Sequence, residues 1–475
     1  MADAQPFSMR TIRAPLIAVV VGMIMVILDS TIVNVAFPKF QQEFASSLSV
    51  VQWTFTGYTL ALSAVIPLAG WMTDKFGTKP VFLATIALFT IGSVLCAAAQ
   101  TIEQLILYRI VQGLGGGMVA PIGMAIVYRL APPQKIGAVM GVLGVPILIA
   151  PALGPVLSGW LIDYASWEWI FLINLPIGII ALVIGKKYLP AFAPDKAPKL
   201  DKLGMILAPL AFSMLAFGVN EGAADWTSTR TALGLAVGAA ALAGLIIAEL
   251  RHRQPLLELR VFQSADFTRG ILLLWLVQIS MFGIMILFPV YLQTVRGYSP
   301  LDTGLIMLAQ AVGSIVFTPI GGRLFDKSGA RPLALAGLTV VSAALFWLAQ
   351  VSPDARLLLL LLPLFMIGSG MGLIMMALNT HVLNSAPRHL VGRVTSLTSA
   401  AQHVVTSIAV AGLTGFLALR TNGTAGRVGQ EGVAAAYSDT FLLTAVLAAV
   451  GIALSFTLRK PKTNLDRPDA SAAPK

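Results

Sequence analysis

Charge is what this chain has least of: Asp, Glu, Lys and Arg make up 11% of its 475 residues, against 57% apolar ones. A soluble domain carries roughly a quarter charged residues, so this composition excludes a soluble body. Cysteine occurs once, at Cys96 inside an apolar run, which excludes a disulfide framework and any paired-thiolate redox or metal motif. The four histidines, at 252, 381, 389 and 403, lack metal-ligand spacing. No G-x-x-x-x-G-K-[ST] phosphate loop occurs, so nucleotide hydrolysis is not the expected energy source. No nucleophile or acid–base constellation suggests an enzyme, and no cofactor or metal is expected.

Long apolar runs are what the chain has instead. About 20 apolar residues cross a bilayer as a helix, and in lipid a helix satisfies its own backbone groups. Fourteen windows fit, near 15–37, 49–69, 80–99, 103–128, 136–161 and 169–188, then 203–219 and 231–249, then 269–294, 300–322, 332–350, 356–380, 393–418 and 438–458. The expected fold is an all-α polytopic membrane protein arranged six, two, six. Residues 1–14 form a short amino terminus, 15–188 a first six-helix lobe, 189–202 a Pro- and Lys-rich linker and 203–249 an extra hairpin. A second basic linker at 250–268, a second lobe at 269–458 and a tail at 459–475 complete it. The first run is too long for a signal-peptide core and should remain as a span.

Orientation follows from the basic residues, which concentrate in cytoplasmic loops. With both termini inside, the inner segments hold 25 of the 32 Lys and Arg residues. Lys39, Arg230, Arg296, Arg356, Arg420 and Arg427 fall outside, and Arg109 lies within a span. The net charge of +11 is therefore inner-surface charge facing anionic lipid headgroups, not a nucleic-acid footprint.

The chain is also duplicated. Gly70, Asp74, Gly77, Lys79 and Pro80 recur 252 residues later as Gly322, Asp326, Gly329, Arg331 and Pro332. Both copies fall on inner connections, where each glycine permits a tight turn and each proline suits the first turn of the next helix. They read as inner-face latches, with Arg388 and Arg393 as expected partners of Asp74.

Asp29 is the only acidic residue deep inside any expected span. A carboxyl group there is costly unless paired or protonated, and such residues usually carry function. By depth Asp29 sits roughly 12 Å from the outer end of the first span and Arg109 roughly 9 Å from that of the fourth, at 1.5 Å rise per residue. They are expected to form a switchable pair in which a proton and a cationic substrate compete for the carboxylate; a static ion pair is the alternative.

Several motifs in order carry a family resemblance over essentially the whole chain. The two duplicated loops resemble the signature loops of the major facilitator superfamily. Leu28, Asp29, Thr31, Ile32, Val33, Asn34, Val35 and Ala36 resemble the first-span signature of fourteen-span drug:proton antiporters of the EmrB/QacA kind. Arg109, Gln112, Gly113 and Gly115 resemble the fourth-span motif. Ala150, Gly154, Pro155, Ser158 and Gly159 resemble the fifth-span antiporter motif, with Ala150 and Ser158 where glycine is usual. Trp167, Trp169, Phe171, Asn174 and Pro176 resemble the start of the sixth span.

The resemblance implies proton-coupled export of lipophilic, cationic drugs across a bacterial cytoplasmic membrane by two six-helix lobes alternating around a central cavity. The partners it implies are a small-molecule substrate, protons and lipid; a periplasmic adaptor protein stays open. Glycines and prolines of the fifth span suit close packing and bending. Candidate cavity residues are Asn34, Gln52, Trp53, Thr56 and Tyr58, with Trp275, Gln278, Met281, Phe282 and Met285 opposite, since Met and aromatic surfaces accept varied ligands. Gln310, Asn379, His381, Gln402 and His403 add neutral polarity. Two alternatives stay open: a dedicated exporter of one metabolite, amphiphile or lipid, and a non-transporting membrane receptor.

Overall fold

The computed structural model describes residues 9–46, 48–192, 201–252, 255–387, 390–423 and 430–458. All regular structure among them is helical. The first lobe consists of α1 (Met9–Val35), α2 (Trp53–Phe76), α3 (Thr78–Ala97), α4 (Ile102–Leu130), α5 (Ile136–Tyr164) and α6 (Trp169–Tyr188). The hairpin is α7 (Lys202–Ala224) and α8 (Thr229–Arg251). The second lobe consists of α9 (Ala265–Thr294), α10 (Pro300–Ser328), α11 (Ala330–Gln350), α12 (Leu358–Asn384), α13 (Val391–Gly423) and α14 (Gln430–Ser455). Among the described residues, thirteen of these are long and apolar enough to cross a membrane; α5 contributes a shorter apolar stretch, Ile136–Val145, to a helix of 29 residues.

Helix starts follow local chemistry. Side chains of Thr101, Asp201, Ser264 and Ser299 accept hydrogen bonds from the first-turn N–H groups of α4, α7, α9 and α10, as N-cap residues do. Gly77 and Gly329, with φ of 87° and 76°, turn α2 into α3 and α10 into α11. That left-handed region suits glycine, so the duplicated turns share one backbone solution.

Several boundaries differ from expectation, α10 running to Ser328 and α14 starting at Gln430 among them, and two differences bear on the inter-lobe contacts and the linker. The second span was expected to end at 69, yet α2 runs on to Phe76 through a 3-10 turn at Ile66–Leu68. Asp74 therefore sits in a last helical turn, not a loop. The apolar window stops where Thr73, Asp74 and Lys75 begin, but the hydrogen-bond ladder continues beyond it. The second linker is partly ordered: a 3-10 turn at Leu259–Gln263 follows Leu256 and Leu257, which are buried.

The lobes meet at the end of the bundle that carries the duplicated turns. α5 packs along α10, and α13 packs on α2 and α4. Tyr128 of α4 donates to Asn384 of α12 at 2.6 Å. Gly137 of α5 and Gly322 of α10 stand backbone to backbone, each where a side chain on the other would collide. The hairpin leans on both lobes through α7, which packs on α2 and α13, whereas α8 packs on α7 and the second linker.

Candidate functional site

Asp29 lies on α1 and Arg109 on α4, and the structure brings them together: Arg109 Nη1 is 2.6 Å from Asp29 Oδ2, with both side chains fully buried. The other carboxylate oxygen accepts from Gln112 Nε2 and Asn174 Nδ2, each at 2.8 Å. Ser93 Oγ on α3 accepts from the same two amides at 2.6 and 3.1 Å. Arg109 also donates through Nε to the Thr54 carbonyl at 3.2 Å and through Nη1 to Gln112 Oε1 at 2.5 Å. Its guanidinium lies 4.0 Å from the Tyr58 ring centroid and 5.7 Å from that of Phe171, a cation–π setting that suits a desolvated cation.

Local packing creates this pocket. Glycines let α4 approach its neighbours: a Cβ on Gly113 would lie 2.6 Å from the Tyr58 carbonyl oxygen of α2, and one on Gly115 2.5 Å from the Phe89 nitrogen of α3. In this pocket Tyr58 Oη, Arg109 Nη2 and Asn174 Oδ1 have no hydrogen-bond partner among the described residues. Every partner named belongs to the first lobe. In this conformation the carboxylate is sealed inside that lobe, not offered to the space between lobes where a competing cation was expected to sit. Gln112 and Asn174 were legible only as family marks, and Ser93 was missed. Their signal is a hydrogen-bonding side chain at membrane depth in an apolar run.

The duplicated motifs make two different inner contacts. Asp74 Oδ2 accepts from Arg393 Nε of α13 at 3.0 Å. Gly70 supports this contact, since a Cβ there would lie 2.9 Å from the Arg393 Cα. Arg388 lies outside the described residues. Asp326 instead accepts from the backbone N–H groups of Gly137 and Ala138 at 2.8 and 2.9 Å. It thus holds the amino terminus of α5 from the opposite lobe, where a carboxylate meets unpaired N–H groups and the positive end of the helix dipole. Lys79 is half-buried, and the exposed Arg331 guanidinium lies 5.8 Å from the Phe456 ring centroid.

Gly154 of the fifth-span motif is buried against Thr31 of α1, whose side chain occupies the place of any Cβ. Side chains at Pro155 and Gly159, and at Asn34 and Phe282 of the cavity set, lie outside those described. Trp53 turns to the hairpin, its ring centroid 6.3 Å from that of Phe217. Gln52 is exposed at the start of α2 and Thr56 is half-buried. Tyr58 faces Arg109. Trp275 and Gln278 are half-buried one turn apart on α9, each with an orphaned polar atom, Nε1 and Oε1. The Asn379 amide donates to Met375 O of its own helix at 2.9 Å. His381 is fully buried, its ring against Gly270 of α9.

The family model described as the Major Facilitator Superfamily matches residues 19–410. The chain belongs to the major facilitator superfamily. It is 37% identical over 408 residues to a multidrug resistance protein B homolog of Mycobacterium tuberculosis (strain ATCC 25618 / H37Rv), covering 85% of this chain and 76% of that one. It is 31% identical to the tetracenomycin C resistance and export protein of Streptomyces glaucescens, with the same shares covered. Among solved structures, the proton:xylose symporter XylE superposes with a TM-score of 0.63 at 16% identity, over 93% of this chain and 95% of that one. This superfamily member is a multi-pass membrane transporter of the drug-efflux kind, not an enzyme.

Proposed function

We propose that the chain exports lipophilic drugs, cationic ones among them, in exchange for protons across a bacterial cytoplasmic membrane, with both termini inside. The observation that carries this reading is the solitary carboxylate of Asp29 held against Arg109 at 2.6 Å with no solvent contact. Arginine stays charged in proteins while a carboxylate can take up a proton. Protonation removes one half of the ion pair and leaves the guanidinium in search of a partner. A buried pair is costly to break by losing one member, so proton arrival favours a different arrangement of α1 against α4.

The two inner contacts then act as the gate. Asp74 with Arg393, and Asp326 with the start of α5, join the lobes on the cytoplasmic side; parting them would open the cavity inward. Proton and substrate communicate through helix movement, since the carboxylate is enclosed by first-lobe side chains. Trp275, Gln278 and Asn379 are assigned to the substrate surface of the second lobe, where Phe282 is kept as a candidate, and Asn34 and Thr56 are kept as candidates on the first lobe.

The test is drug efflux from proteoliposomes with and without an imposed pH gradient. The parent should export only with the gradient, and Asp29→Asn should insert and fold but lose gradient-driven export. Equal export by Asp29→Asn would remove the assignment of the proton site.

A further inference from the structure

Ser158 stands in the fifth-span motif at a position where glycine is usual, and it is fully buried. Its Oγ donates to the Ile32 carbonyl of α1 at 2.9 Å. Ile32 is among the last four residues of α1, whose carbonyls have no intrahelical donor. The N–H that would have reached Ile32, that of Ala36, bonds instead to Val33 O at 3.1 Å. Ser158 therefore satisfies an orphaned carbonyl three residues beyond Asp29, on the same side of the helix. Glycine cannot do this.

The same helix touches the inner gate at its other end. α5 meets α1 through Gly154 against Thr31 and through Ser158, and meets the opposite lobe through Gly137, Ala138 and Asp326. Between these ends Pro146, Pro151 and Pro155 bring no backbone N–H, which lowers the cost of bending there. One element thus binds the segment carrying the buried carboxylate and the contact that closes the cytoplasmic side.

We infer that Ser158 is a positioning residue for coupling: it ties α5 to the end of α1, so that a change at Asp29 reaches the Asp326 contact. The inference rests on the proton-exchange reading above. The titratable or charged groups facing Asp29 are Arg109 from α4, Tyr58 from α2 and Cys96 from α3. Gln112 of α4, Asn174 of α6 and, through their amides, Ser93 of α3 add uncharged polar groups. Ser158 touches neither proton nor substrate, and its effect is conformational.

The experiment compares parent, Ser158→Ala, Asp326→Asn and the double variant in proteoliposomes, using one lipophilic fluorescent drug and a pH-sensitive lumenal dye. Ser158→Ala should bind the drug as the parent does. Its gradient-driven export should fall roughly five-fold, the equivalent of one buried hydrogen bond, with a flattened pH profile and fewer protons moved per drug. Because both changes act through one helix, the double variant should be no worse than the poorer single one. Ser158→Thr, which keeps the hydroxyl, should restore the pH profile. A Ser158→Ala protein with the parent's rate and pH profile overturns the inference alone, as does a double variant whose losses multiply. A parent that exports nothing under the gradient removes the exchange reading itself.

Discussion

Arg109 Nη1 lies 2.6 Å from Asp29 Oδ2, and neither side chain has any exposed surface. The two residues are 80 positions apart in sequence, and their meeting fixes how α1 stands against α4. Truncating one member leaves an uncompensated charge, a loss of about 3–5 kcal/mol for a buried pair. Asp29→Asn, which strands a permanently charged guanidinium, should therefore lower the thermal midpoint at least as much as Arg109→Ala, whose remaining carboxyl can take up a proton. The double change Asp29→Ala with Arg109→Ala should recover part of that stability. Thermal unfolding in detergent followed by tryptophan fluorescence checks the order of the variants.

Asp74 and Arg393 join opposite lobes at 3.0 Å in a mostly buried setting. Asp74→Ala should leave drug affinity within about two-fold while transport falls by an order of magnitude or so, because the expected effect is on closure and not on binding. Exchanging the charges, Asp74→Arg with Arg393→Asp, should restore part of the rate. Spin labels on the inner ends of α2 and α13 should report a wider separation in Asp74→Ala; an unchanged distance and rate would dismiss the latch.

At Gly77 and Gly329 the backbone occupies the left-handed region. Alanine there costs on the order of 1–2 kcal/mol, although a Cβ on Gly77 would have nothing nearer than 3.6 Å. Gly77→Ala should lower thermal stability by that strain alone, and Gly329→Ala should lower it at least as much. Asparagine, which tolerates positive φ only at ψ near +50°, should be no milder than alanine at the ψ of 148° and −172° found here. Differential scanning of the four variants distinguishes backbone strain from steric collision.

Trp53 of α2 and Phe217 of α7 hold their rings 6.3 Å apart. A cysteine pair at these positions, in a background lacking Cys96, should be joined by a short bifunctional thiol reagent. Trp53→Ala should loosen the hairpin while altering drug affinity little. A large loss of affinity would return Trp53 to the substrate surface; the measurement is equilibrium binding alongside cross-linking yield.

Depth along the chain was legible; lateral neighbourhood was not. Asp29 and Arg109 were brought to a common level by counting residues from the outer ends of their spans, because a helix rises uniformly. Ser93 escaped, and Asn174 was legible only as a family mark, because counting gives height without azimuth, and which helices stand side by side depends on packing across the whole lobe. Trp53 shows the same limit: an aromatic on α2 reads alike whether it faces drug or hairpin. The duplicated motif hid a difference, since Asp74 finds a guanidinium and Asp326 finds backbone N–H groups of a helix end. Identical spacing describes each loop but not what the opposite lobe presents to it.

Gly137 and Gly322 press main chain on main chain where α5 crosses α10. No flexible side chain stands between them whose rotation could admit a file of water. A membrane held at a voltage is only as good an insulator as its most poorly stoppered protein, and under the exchange reading proposed above this contact would be the stopper.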